Sequence, residues 1–293
     1  MLLRQVIELF DLLDTPAANG TTVTDLFKER GNVEVTVENV KGDEGDTDCV
    51  TILIKGSEGK SVGGSAPTLG IIGRLGGLGA RPEVTGFVSD GDGALAALAA
   101  GLKLTEMNTK GDIMKGDVII ATHICPDAPT QEHFPVPFMG SPINMTTNNE
   151  KEVLPEMDAI LSIDTTKGNR VINTRGFAIS PTVKEGYILR TSEDLLDLMQ
   201  ITTGRLPYVF PLATQDITPY GNDVHHINSV LQPCTATKAP VVGVAITTEV
   251  MVPGCATGAT HATDVEEAAR FMLEVAKAFG RGQCKFYDEK EYA

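Results

Sequence analysis

The chain has 293 residues, 42% of them hydrophobic, with 30 glycines and 16 prolines, which suits a compact, turn-rich protein rather than a disordered or fibrous one. Its 39 acidic and 24 basic residues leave a formal net charge of −15, and that excludes a nucleic-acid binder, whose surface must be basic. No apolar run approaches the roughly 18 residues needed to cross a bilayer, so no membrane partner is expected.

The opening MLLRQVIELFDLLD carries Glu8 and Asp11 and reads as no signal peptide. Cys49, Cys125, Cys234, Cys255 and Cys284 are odd in number and contain no CxxC pair. They read as reduced thiols, and the expected location is cytoplasmic.

Leu2, Val6, Leu9, Leu12 and Leu13 recur at helical spacing, and after the break at 16–20 a second short helix is predicted over 22–30. VEVTVENV (33–40) alternates with period two. With CVTILIKG it predicts a hairpin across an acidic turn. Residues 56–67 read as an exposed loop whose GKSVGG lacks the Walker spacing. TLGII (68–72) is the next strand and runs into the glycine cluster 73–82, and 84–88 is a further short strand ending at Ser89-Asp90-Gly91-Asp92-Gly93. The following ALAALAAGLKLTEM predicts a closely packed helix, capped in the simplest reading by Asp90 or Asp92.

VIIATHICPD (118–127) reads as a strand buried on both faces, with His123, Cys125 and Asp127 following it. Residues 128–152 are polar, proline-rich and aperiodic, as in a lid or an oligomer contact. MDAILSI ends in Asp164. Strand character is expected around Val171 and Phe177, a helix capped by Ser192 follows, and YVFPLAT and PVVGVAITT are predicted strands. The polar loop between them holds Asp216, Asp223, His225 and His226. A last helix, capped by Asp264, turns Val265, Ala268, Phe271, Met272 and Val275 inward.

The pattern predicts a single α/β domain over 1–293, three-layered with a mixed, mostly parallel sheet. In such sheets the ligand crevice lies beyond the carboxyl ends of the strands. Three successive strand ends carry Asp90, Asp127 and Asp164, and His123 stands among them. These side chains suit one or two divalent cations, with zinc, manganese or cobalt the expected metals. Paired metals activate a water and stabilise an oxyanion. The bland alternative makes the acids helix caps and His123 a hydrogen-bonded structural histidine.

The order of elements resembles the dinuclear zinc aminopeptidases of the glutamyl and deblocking aminopeptidase type, and more distantly the zinc carboxypeptidase and deacylase superfamily that shares their core. VSDGDGALAALAA resembles the bridging-aspartate motif with its helix, VIIATHICPD falls at the glutamate pair, AILSIDTTKG resembles the strand of a later aspartate ligand, and YGNDVHHI resembles the Gly-Thr-Asp-Ala loop. The resemblance implies Asp90 as bridging ligand and Asp164 as terminal ligand. Arg74 stands at the first histidine ligand, Gly254 or a neighbour at the last, and Cys125, Pro126 and Asp127 at the glutamate pair. The whole chain is also similar to a bacterial family known only as a domain of unknown function.

The leading expectation is a metal-dependent hydrolase of a small amide or peptide. Asp90, Asp164, His123 and Asp127 hold metal, Asp127 and His123 serve catalysis, and Arg74, Arg170 and Lys184 bind a substrate carboxylate. One alternative is a racemase or isomerase using Cys125 and Cys255. Another is a non-catalytic binding descendant. A homo-oligomer is expected in each case.

Overall fold

The computed structural model describes residues 2–74, 86–132, 138–212, 227–252 and 259–293. The helices are α1 (Leu3–Leu13), α2 (Gly20–Arg30), α3 (Asp92–Thr109), α4 (Met145–Glu152), α5 (Glu193–Thr203), α6 (Ala262–Gly280) and α7 (Glu289–Tyr292). The strands are β1 (Glu34–Gly42), β2 (Gly45–Ile54), β3 (Leu69–Gly73), β4 (Val118–Ile124), β5 (Thr130–Gln131), β6 (Phe138–Met139), β7 (Ala159–Thr166), β8 (Gly176–Ile179), β9 (Val183–Lys184), β10 (Tyr187–Ile188) and β11 (Val241–Thr247).

Four parallel neighbours, β4-β3-β7-β11, form the middle of a mixed sheet ordered β1-β2-β4-β3-β7-β11-β9-β10, with β8 also on β11. These four are buried along almost their whole length, which is why their sequences are apolar runs without alternation. The antiparallel hairpin β1–β2 borders β4, and β8 and β9 run antiparallel to β11. One face packs on α1, α2, α3, α5 and α6 in a single large core. The other face carries a smaller core under residues 210–212 and the 3-10 segment Ser229–Ala236, and α4 packs against that segment. The fold is therefore of the α/β class with a mixed, mostly parallel sheet.

Helix α3 lies unusually close to the sheet, and two glycines make this possible. A Cβ on Gly73 would sit 2.7 Å from the Ala94 Cα, and one on Gly93 would sit 2.5 Å from the Ile163 carbonyl oxygen. The start of α3 is thus locked against the carboxyl ends of β3 and β7.

The hairpin, the four central strands, the Ser192 cap on Leu195 and the buried face of α6 match the sequence expectations. Others need correction. Of the described residues, 86–88 form no strand, Val171 is exposed coil, and in YVFPL Val209 alone makes a bridge, to Ile179. Neither Asp90 nor Asp92 caps α3 through its side chain, and Asp264 sits inside α6, paired with His261 at 3.3 Å and Arg175 at 3.5 Å. Asp92 is drawn instead to Lys167 and Thr260, and Asp264 to Arg175. The 128–152 stretch contains β5, β6 and α4 rather than an aperiodic loop. No helix among the described residues is long and apolar enough to cross a membrane.

Candidate active site

The parallel register carries three of the sequence-selected residues into one row. Ile72 pairs with Ala121 and Gly73 with Ile163, so continuing along the strands sets Arg74 beside His123 on one side and Asp164 on the other. The Arg74 amide donates to the Ile163 carbonyl at 2.8 Å, which extends the pairing past the end of β3. Side chains alternate along a strand. Arg74, His123 and Asp164 consequently share the face of Ile72, Ala121 and Ile160, opposite the large helical core.

Helix α4 completes this row. Its N-cap Asn144 accepts from the Thr147 amide at 2.9 Å, and Met145, Asn149 and Glu152 fall on one stripe at spacings of four and three. All three turn to Arg74. Its Nη1 donates to Glu152 Oε2 at 2.6 Å and to Asn149 Oδ1 at 3.0 Å, and Nη2 faces the Met145 thioether. Asn149 is oriented in turn, because its Nδ2 donates to the Gln232 carbonyl at 3.1 Å and to Thr235 Oγ1 at 3.2 Å. Arg74 is fully buried, and its Nε–H is a buried donor with no acceptor among the described residues.

The second oxygen of Glu152 lies 3.1 Å from His123 Nδ1, with both residues almost fully buried. A carboxylate paired with a guanidinium only accepts, so Nδ1 is the donor in this contact.

Asp164 Oδ1 accepts from the Thr165 amide at 2.7 Å and Oδ2 from Ser229 Oγ at 3.2 Å. On the helical side of the same edge, Asp92 takes Lys167 Nζ at 2.7 Å and Thr260 Oγ1 at 2.7 Å. Burial pushes the Asp92 carboxyl above the ordinary aspartate range, against the downward pull of Lys167 and Thr260. Asp90 is buried in the 3-10 turn just before α3.

The expected metal set is not assembled. Among the described residues no group of three or more His, Cys, Asp or Glu side chains is placed to hold a metal ion, and all four members of the set are described. Asp127 is exposed beyond β4, whereas Asp90, His123 and Asp164 are buried, and His123 has a ring nitrogen on Glu152. Zinc, manganese or cobalt therefore does not fit Asp90, Asp164, His123 and Asp127 as a set. Gly254, Asp216, Asp223, His225 and His226 lie outside the described residues, as does Cys255.

Lys184 is also misplaced by the sequence reading. Val183 pairs with Val241 at the start of β11, so Lys184 lies at the amino edge of the sheet, away from Arg74. There it bonds Glu185 at 2.9 Å and the Lys238 carbonyl at 2.7 Å, lies over Tyr287 and Tyr292, and lines a cavity of about 430 Å³. Arg170 is exposed after β7 and makes no ion pair among the described residues. Burial pushes the Cys125 thiol up to about 12, which removes it as a proton-abstracting thiolate near neutral pH. Glu152, Asn149 and Ser229 were not among the residues the sequence singled out, and the spacing of Met145, Asn149 and Glu152 was the available signal for α4.

A family model described as a protein of unknown function (DUF1177) matches residues 38–293. The chain belongs to the DUF1177 family. No curated protein matches this DUF1177 chain. Among solved structures it is similar to the crystal structure of an Acidobacteriales bacterium glutaminyl cyclase, with a TM-score of 0.54, 13% identity, and coverage of 96% of this chain and 94% of that one. At that identity the likeness shows a common fold. It agrees with the α/β class and the mixed, mostly parallel sheet that the sequence pattern predicted.

Proposed function

We propose that the protein is a hydrolase of a small amide or peptide substrate, working at the carboxyl edge of the sheet with His123 as its proton-handling group. The observation that carries this reading is the buried contact of His123 with Glu152, at the strand ends where ligands bind in open α/β sheets. Glu152 is the positioning residue, since it fixes the proton on Nδ1, and Arg74 in turn fixes Glu152. His123 Nε2 takes a proton from water as the water oxygen bonds to the substrate carbonyl carbon. As the carbon–nitrogen bond breaks, the same nitrogen returns that proton to the leaving amine. No step is routed through a metal, because the expected ligand set does not fit one.

The test is a panel of aminoacyl amides, N-acyl amino acids, dipeptides and peptides with an N-terminal glutamine, the last prompted by the glutaminyl cyclase likeness. His123→Ala is expected to lose on the order of 10²- to 10⁴-fold in turnover, and Glu152→Gln to lose less. Folded variants that both keep full turnover contradict the reading.

A second reading, a non-catalytic binding protein, is favoured by the internal neutralisation of Glu152 by Arg74 and of Asp92 by Lys167. It predicts that the wild type binds a member of the panel without converting it.

A further inference from the structure

We propose that Arg74 is the resident cation of the carboxyl-edge site, its guanidinium holding the buried acceptors of this cluster so that a divalent ion does not fit among them. This inference is independent of hydrolysis. It concerns what balances the buried acids, so its test reads metal binding and stability rather than turnover.

Three observations carry it. The first is position. Arg74 follows directly on the end of β3, in the row between His123 and Asp164, and its side chain is fully buried on the face those residues share. A cation placed there is the central charge of the edge.

The second is the shape of what surrounds it. Met145, Asn149 and Glu152 form a single stripe of α4, and each presents an acceptor to the guanidinium. The amide of Asn149 is turned oxygen-first toward Arg74 because its nitrogen is held by Gln232 and Thr235. An oriented set of this kind is pre-formed for a planar, always-charged donor fork.

The third is charge. Glu152 is almost fully buried, and a carboxylate taken out of water needs a matching positive charge. Arg74 supplies that charge at 2.6 Å and leaves the other carboxylate oxygen for His123. A divalent ion added on the same oxygens would have to displace a fixed guanidinium and would be repelled by it.

If the guanidinium is what excludes a metal, its removal should uncover a cation site. Arg74→His leaves a new imidazole opposite His123 and Glu152, and two histidines with one glutamate are a ligand set that zinc accepts.

The experiment measures zinc content and thermal unfolding, with and without zinc chloride and then a chelator, in the wild type, Arg74→His, Arg74→Lys, His123→Ala, Glu152→Gln, Asp90→Asn and Asp164→Asn. Arg74→His should bind zinc at least about tenfold more tightly than the wild type. Its Tm should rise with zinc and fall again with chelator. Arg74→Lys, which keeps the charge, should gain neither.

Wild-type protein that takes up one equivalent of zinc, and loses it on His123→Ala or Glu152→Gln, overturns the proposal. A folded Arg74→His protein that binds zinc no better than the wild type also overturns it. Wild-type zinc that is lost on Asp90→Asn or Asp164→Asn also overturns it, whereas zinc unaffected by all four substitutions is held away from this edge. Should Arg74→His fail to fold, the wild-type, His123→Ala and Glu152→Gln measurements still decide the question.

Discussion

Glu152 holds Arg74 with one carboxylate oxygen and His123 with the other, at 2.6 Å and 3.1 Å, and all three side chains are buried. A residue from α4 thereby ties together the ends of β3 and β4. Glu152→Gln leaves the guanidinium without its counter-charge, and breaking a buried pair costs about 3–5 kcal/mol. Urea unfolding should show a loss of that order. Arg74→Met combined with Glu152→Leu should lose less than the two single substitutions added together, because no charge is then stranded. Strict additivity would mean that the pair is not coupled.

The close approach of α3 to the sheet predicts that Gly93→Ala is poorly tolerated. The added methyl meets the Ile163 carbonyl oxygen and also the Arg74 carbonyl oxygen at 3.0 Å, both backbone atoms. Overpacking of this type costs about 1–3 kcal/mol. A Tm unchanged from the wild type would contradict the packing described.

Asp92 predicts a sign for the dependence of stability on pH. Burial raises its carboxyl, so the folded chain holds that proton more tightly than the unfolded chain does. The stability linked to Asp92 is then complete below the ordinary aspartate pKa of about 3.9, and it declines as pH rises through the raised value. The wild type minus Asp92→Asn difference in unfolding free energy should therefore shrink as pH increases from about 4. A difference that grows with pH would contradict the assignment.

Cys49, Cys125 and Cys284 have thiols pushed up to about 12 by burial, so the thiolate fraction near neutral pH is negligible. Iodoacetamide followed by mass spectrometry should label these three only after unfolding. Rapid labelling of Cys125 in the native protein would reopen a cysteine-based mechanism.

The central sheet was legible in the sequence because strands buried on both faces must be apolar throughout, and β3, β4, β7 and β11 each stand out in that way. His123 and Asp164 were legible as strand-end residues for the same reason, but their row with Arg74 was not, because it depends on the strand order and register. Helix α4 was not legible either. Its residues MTTNNEKE include two Thr and two Asn, which are weak helix formers, and offer little apolar surface, and what holds them is one stripe packed on a buried arginine. The acid that meets His123 was accordingly sought nearby, at Asp127, whereas the structure brings Glu152 from 29 residues away. Asp92 and Asp264 show the same limit, because both look like helix caps until Lys167, Thr260, Arg175 and His261 are in place.

The most direct test of the account is turnover of the amide and peptide panel in heavy-oxygen water, read by mass spectrometry of the products. The account predicts one solvent oxygen in the acid product formed by the wild type, and a large loss of that product with His123→Ala. Product formed without solvent oxygen, or formed equally well by a folded His123→Ala variant, would contradict hydrolysis at this site.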